Sequence, residues 1–140
     1  PGPVGAAFAD RKAWAGLILD GIHVHPTSAR AAFAAKTASR LILVSDAMST
    51  VGSKNPSMSL FGETITVSGG ALRTATGTLA VSLLGATQEE ALRMASLTPA
   101  EFLGIDKDRG RIAPGVRADF VLLGPNLELR ESWLAGERVS

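Results

Sequence analysis

The sequence predicts an α/β fold organised around a parallel sheet. Three observations carry that expectation. Leu41-Ile42-Leu43-Val44 is an unbroken aliphatic run, the pattern of a strand covered on both faces. Gly16-Leu17-Ile18-Leu19 opens a second such run, which passes into polar residues and ends at Pro26. Between the two lies an alanine-rich stretch, residues 29–38, with Thr27 and Ser28 ahead of it as N-cap candidates. Strand, helix, strand is the βαβ unit of a parallel sheet.

Residues 1–8 are rich in glycine and proline and are expected to form a loop entering a short helix. The strand from Gly16 is expected to run to Pro26, since proline cannot donate to a sheet ladder. Side chains alternate along a strand, so His23 and His25 would share a face. Asp46 follows the Leu41–Val44 strand at its carboxyl end. In a β/α barrel that end carries the chemistry, and a carboxylate is costly to bury there without a partner. His23 and Asp46 would then lie near the carboxyl ends of adjacent strands, a place to grip a polar substrate and move a proton. From spacing alone, Asp46 serves equally well as a turn cap or as the partner of a basic residue.

Residues 48–58 contain glycine, serine, asparagine and proline, and follow Asp46 as a candidate active-site loop or an ordinary connection. Residues 63–68 alternate and precede Gly69-Gly70, as a hairpin arm does. Thr87 with Glu90 fits a capping box that starts a helix. Thr98 with Glu101 repeats the spacing, with Pro99 at the first helical position and Gly104 as the C-terminal stop. Met94 and Leu97 are assigned to the core. Beyond Lys107 the pattern turns to short strands: Pro114-Gly115 suits a type II turn, Phe120-Val121-Leu122-Leu123 a buried strand, and Ala135-Gly136-Glu137 a final hairpin with Trp133 and Val139 on its arms. A domain boundary is placed near Asp106, giving residues 1–106 and 107–140.

Fourteen lysines and arginines against 13 acidic residues leave a formal charge of +1, and the basic residues form no stripe, so nucleic acid is not expected as a partner. They read as solvated surface charge. Without cysteine there is neither a disulfide nor a thiolate metal site. No apolar run reaches a membrane-spanning length, and no signal peptide is visible, so no membrane partner is expected and the cytoplasm is the default location.

Five motifs carry a family resemblance. Asp20-Gly21-Ile22-His23-Val24, Leu43-Val44-Ser45-Asp46-Ala47, Gly77-Thr78-Leu79-Ala80, the stretch from Glu90 to Ala100, and Gly115-Val116-Arg117-Ala118-Asp119-Phe120-Val121 follow one another along nearly the whole chain. Together they resemble the carboxyl-terminal half of the N-acetylglucosamine-6-phosphate deacetylases of the amidohydrolase superfamily. The last motif is common to many amidohydrolases; the first two, in this order and spacing, are the specific ones.

The resemblance implies the carboxyl-terminal part of a (β/α)8 TIM barrel, residues 1–106, and part of a small β-sandwich domain, residues 107–140. It implies hydrolysis of N-acetylglucosamine 6-phosphate to glucosamine 6-phosphate and acetate, with a divalent metal such as zinc activating water and polarising the amide. Asp46 would take the proton from that water and return one to the leaving amine. His23 would contact the sugar phosphate, Asp20, Gly21 and Ile22 would wall the same subsite, and Ala80 is counted with them as substrate-binding. A homodimer is implied too.

Two departures from the family pattern matter. The family's metal ligands, a glutamate and two histidines on earlier strands, would precede Pro1, so no metal ligand is expected within these residues. A helix-bearing segment that the family carries after Gly-Thr-Leu-Ala is missing between Ala80 and Val81. The sequence is therefore expected to be part of a longer polypeptide and inactive alone. Three alternatives stand beside this reading: a two-histidine, one-carboxylate metal site made by His23, His25 and Asp46; a non-catalytic fragment that binds a sugar phosphate or completes a barrel; and an amidohydrolase acting on another N-acylated sugar.

Overall fold

The computed structural model describes residues 2–46, 54, 57–60, 63–66 and 84–140. The expected residues 48–53, Gly69-Gly70 and the Gly77–Ala80 motif, Ala80 included, lie outside them.

Helix α1 (Pro3–Ala9) starts with proline at its first position, where no amide hydrogen is needed. It claims most of the stretch that the sequence suggested as loop. Strand β1 (Ala15–Ile18) and strand β2 (Leu41–Val44) pair in parallel, with Ala15 opposite Leu41 and Ile18 opposite Val44. Helix α2 (Pro26–Lys36) joins them and completes the expected βαβ unit. It buries Ala29, Ala32 and Lys36, the i, i+3, i+7 positions of one helical face.

Several sequence expectations are corrected in this unit. The first strand stops at Ile18, and residues 20–24 form turns, with Gly21 at φ 77°. His23 and His25 therefore do not share a strand face. His25 is the N-cap of α2: its Nδ1 accepts from the amide of Thr27 at 3.2 Å, and Pro26 opens the helix instead of ending a strand. Thr27 and Ser28 already lie inside the helix. Burial along β2 is also one-sided. Leu41 is buried, whereas Ile42 and Leu43 are half-buried and Val44 is exposed.

Lys36 departs furthest from expectation. It is no surface charge but 2% exposed. Its ammonium donates to the carbonyl oxygens of Ala7, at 2.9 Å, and Asp10, at 2.5 Å. These are groups at the carboxyl end of α1, where the helix dipole favours a cation. One buried lysine thereby ties α1 to α2.

Strands β3 (Ser57–Leu60) and β4 (Glu63–Thr66) form an antiparallel pair, Leu60 opposite Glu63. The alternating segment thus pairs with the residues before it. Helix α3 (Gln88–Ala95) begins at the expected capping box, with Thr87 and Glu90 each accepting the other's amide hydrogen. Helix α4 (Leu97–Leu103) begins two residues earlier than Pro99 suggests, and Ser96 is its N-cap without a side-chain capping bond, its hydroxyl donating instead to the carbonyl oxygen of Leu92 at 2.6 Å. Thr98 caps nothing. It is fully buried and donates to the carbonyl oxygen of Ala38 at 2.7 Å. Gly104 ends α4 in the left-handed conformation expected of it.

Both α3 and α4 rest against β2. The core gathers Leu17, Leu19, Ala29, Ala32, Ala38, Leu41, Leu84, Ala86, Ala91 and Met94. Leu97, expected there, is half-buried and is not part of it. Alanine dominates because helix and sheet backbones approach closely where side chains are small.

The remaining strands, β5 (Phe120–Leu123), β6 (Leu129–Leu134) and β7 (Glu137–Arg138), make an antiparallel sheet in that order. Val116 donates to Ala113 across Pro114-Gly115, with Gly115 at φ 81°, as a type II turn requires. Ala135 and Gly136 both have positive φ, the two-residue hairpin turn that matches strand twist. Asp119 accepts from the amide of Ala135 at 2.8 Å, and Phe120 stacks on Trp133 at 5.4 Å between ring centres. The expected burial of β5 is not found: Phe120, Val121 and Leu122 are exposed, because β5 is an edge strand with no described layer over it.

Candidate active site at the carboxyl ends of β1 and β2

The register of the parallel pair sets the site. Ile18 lies opposite Val44, and two residues beyond each stands an aspartate, Asp20 after β1 and Asp46 after β2. The sheet thus delivers two carboxylates to one end, on neighbouring strands, where the open end of a parallel sheet receives ligands.

Asp20 follows Leu19, which is buried in the core, so the backbone at this point is anchored. Its Oδ1 accepts from the amides of Ile22 and His23, both at 2.9 Å. Its Oδ2 meets Nδ1 of His23 at 2.5 Å. Gly21 makes this sharp return possible, because its φ of 77° is open to glycine at no steric cost. The Asp20 side chain is 12% exposed and that of His23 60%. The ring is therefore held from one side and open on the other.

Charge follows geometry. The Ile22 amide, then the His23 ring and amide, hold the Asp20 carboxyl down to about 2, against the pull of burial. The hydrogen bond and negative charge of Asp20 raise the His23 imidazole above its ordinary value, and Asp46 adds to the same effect from β2. Asp46 is thus close enough to His23 to be felt electrostatically. Its backbone is left-handed, φ 51°, a conformation that aspartate and asparagine adopt more readily than most residues.

Of the residues singled out in the sequence, the structure brings Asp20, Gly21, Ile22, His23 and Asp46 to one end of the sheet. Ile22 is exposed beside His23. His25 faces the first turn of α2 instead. Among the described residues no three histidine, aspartate or glutamate side chains converge as a metal-ligand set. The alternative set of His23, His25 and Asp46 is not brought together: Nδ1 of His23 is turned to Asp20, and Nδ1 of His25 caps α2. The Asp20–His23 pairing itself escaped sequence reasoning. Its signal was the i, i+3 spacing across a glycine, which was open to a strand reading as long as β1 was extended to Pro26.

Residues 12–139 match the model of the amidohydrolase family. The chain is 39% identical to the Escherichia coli K12 protein named "Putative N-acetylgalactosamine-6-phosphate deacetylase", across all of this chain and 91% of that one. It is also 39% identical to an N-acetylgalactosamine-6-phosphate deacetylase of Escherichia coli O157:H7, again over its whole length but over 40% of that relative. Among solved structures, the N-acetylglucosamine-6-phosphate deacetylase of Pasteurella multocida superposes with a TM-score of 0.87 at 28% identity, over 97% of this chain and 39% of that one. The chain thus spans nearly all of one relative and about two fifths of the other two.

Proposed function

The chain belongs to the amidohydrolase family, and on that premise we propose that it supplies the carboxyl-terminal part of a deacetylase that hydrolyses the acetamide of an N-acetylhexosamine 6-phosphate. N-acetylglucosamine 6-phosphate is the substrate implied by the sequence motifs. Its galacto epimer stands beside it, because the relatives named for that epimer share 39% of residues while a Danio rerio relative named for the gluco epimer shares 35%. The observation that carries the reading is the placement of Asp46 and the Asp20–His23 pair at the carboxyl ends of adjacent parallel strands.

In this reading residues 1–106 belong to a (β/α)8 barrel and residues 107–140 to a small β-sandwich domain. Superposition on the deacetylase structure supports the barrel, and the separate antiparallel sheet β5-β6-β7 supports the second unit. A homodimer rests on the family resemblance alone, and the cytoplasm remains the default location of the sequence reading; no helix among the described residues is long and apolar enough to cross a membrane.

Water adds to the acetamide carbonyl, the carbon–nitrogen bond breaks, and the products are acetate and a hexosamine 6-phosphate. In this reading Asp46 accepts the proton from the attacking water and returns a proton to the departing nitrogen. His23 in this reading meets the sugar phosphate, which is supported by its exposed ring and by a charge favoured by two carboxylates. A divalent metal, as the family implies, would supply polarisation of the carbonyl and an activated water. The described residues do not fit as its ligands.

The test is acetate release from both epimers by the intact protein, with free amine measured alongside. Acetate and amine in equal amounts, abolished by a chelator and restored by zinc, are expected. Sugar-phosphate binding by calorimetry with no acetate from either epimer, metal supplied, would move the chain to the non-catalytic alternative.

A further inference from the structure

The deacetylase reading places Asp20 in the wall of the substrate subsite; the geometry gives it a different task. All of its described polar contacts point back into its own turn: Oδ1 to the amides of Ile22 and His23, and Oδ2 to the His23 ring. With 12% of its side chain exposed, it has little surface to offer a ligand, while His23, at 60%, has much. We propose that Asp20 is the positioning residue of this site: its carboxylate fixes the orientation of His23 and holds the ring doubly protonated, so that Nδ1–H is donated to Asp20 and Nε2–H is offered to the sugar phosphate. The proposal rests on the deacetylase reading for the identity of the ligand, and on the hydrogen bonds alone for the positioning.

An aspartate so placed does two things at once. It stabilises a turn, as short polar side chains do after a strand. It also keeps a hydrogen on Nδ1, in the charged ring and, at higher pH, in the neutral one. The first role needs only Oδ1 and the second needs only Oδ2, and chemistry can separate them. Asp20→Asn keeps an acceptor oxygen for the two amides but puts an NH2 where Oδ2 was. That group donates to Nδ1, so the neutral ring must carry its hydrogen on Nε2 instead. Asp20→Ser keeps a turn-forming oxygen and leaves the ring unheld.

The experiment uses the intact protein labelled with 15N at histidine, with His23 assigned by its loss in His23→Gln. The wild-type ring is expected doubly protonated below its raised value and as the Nδ1–H tautomer above it, and the neutral Asp20→Asn ring as the Nε2–H tautomer. With the preferred epimer, KM should rise about tenfold in both Asp20→Asn and Asp20→Ser, the scale of one lost charge-assisted bond, while kcat changes less than about threefold. In a His23→Ala background, Asp20→Asn should add nothing further to KM. An unchanged tautomer in Asp20→Asn, or KM effects of Asp20→Asn and His23→Ala that multiply, would overturn the assignment and leave Asp20 a turn residue. Absence of turnover in the wild type would count against the deacetylase reading, and the spectra would still decide the positioning.

Discussion

Thr98, fully buried on α4, donates its hydroxyl to the carbonyl oxygen of Ala38 at 2.7 Å, across 60 residues of sequence. Ala38 is buried too, in the connection that leads into β2. The bond pins α4 beneath the strand that carries Asp46. A buried carbonyl that loses its donor keeps its desolvation cost, so Thr98→Val, nearly the same in shape, should destabilise by about 1–3 kcal/mol. Urea unfolding should show a lower midpoint with an unchanged slope. A midpoint equal to wild type would mean that water replaces the hydroxyl.

Gly110 sits with φ 91° against the start of α4. A Cβ there would stand 2.6 Å from Cβ of Ala100 and 3.2 Å from backbone atoms of Leu97 and Ser96. Gly115 has a similar φ of 81° but open space around it. Gly115→Ala should therefore cost only the left-handed strain, about 1–2 kcal/mol, and Gly110→Ala an overpacking cost of about 1–3 kcal/mol on top of it. The two midpoints in parallel urea titrations separate strain from contact. Equal losses would show that α4 shifts freely away.

Periodicity and capping signals made β2, α3 and the parallel order legible, because each is set by neighbours in sequence. Leu41–Val44 needed no tertiary information, and Thr87 with Glu90 closes its own box. The errors fell where a long-range partner outbids a local preference. Thr98 has the spacing of a cap but bonds Ala38. Lys36 has the chemistry of a surface residue, yet the end of α1 satisfies its ammonium. The run from Gly16 to Pro26 could pass for one strand because its apolar content does not reveal where Asp20 turns the chain back. The approach of His23 to Asp46 depends on strand register, which the βαβ expectation anticipated. The Asp20–His23 bond depends on Gly21 adopting positive φ, which it did not.

The Asp20–His23 pair should make stability depend on pH in both directions. The Asp20 carboxyl is held at about 2, below its ordinary 3.8, so its contribution is full above the ordinary value and lost as pH falls toward 2. The His23 imidazole is raised above its ordinary 6.5, so its contribution is full below 6.5 and lost as pH rises through the raised value. Both groups are charged, and the pair intact, between these limits. Melting temperature recorded from about pH 2 to about pH 9 for wild type and Asp20→Asn should give a bell-shaped difference. A difference flat across that range would show that the pair adds nothing to the fold.

Asp46 can be tested without disturbing the backbone that presents it. Its φ of 51° is left-handed, and asparagine tolerates that region as aspartate does, so Asp46→Asn should fold as wild type and keep its melting temperature within about 0.5 kcal/mol equivalent. It keeps the shape of the side chain and removes the group that takes up a proton. In the intact enzyme, turnover should fall by about 10²–10⁴-fold, the range for a positioned proton transfer, while calorimetric affinity for the sugar phosphate stays close to wild type or rises slightly as repulsion between Asp46 and the phosphate is relieved. His23→Ala should do the reverse, weakening binding more than it slows turnover. The pair of variants thus assigns proton transfer to β2 and substrate grip to the turn after β1. Turnover undiminished in Asp46→Asn would remove the carboxylate from the reaction and leave its left-handed turn as its only role.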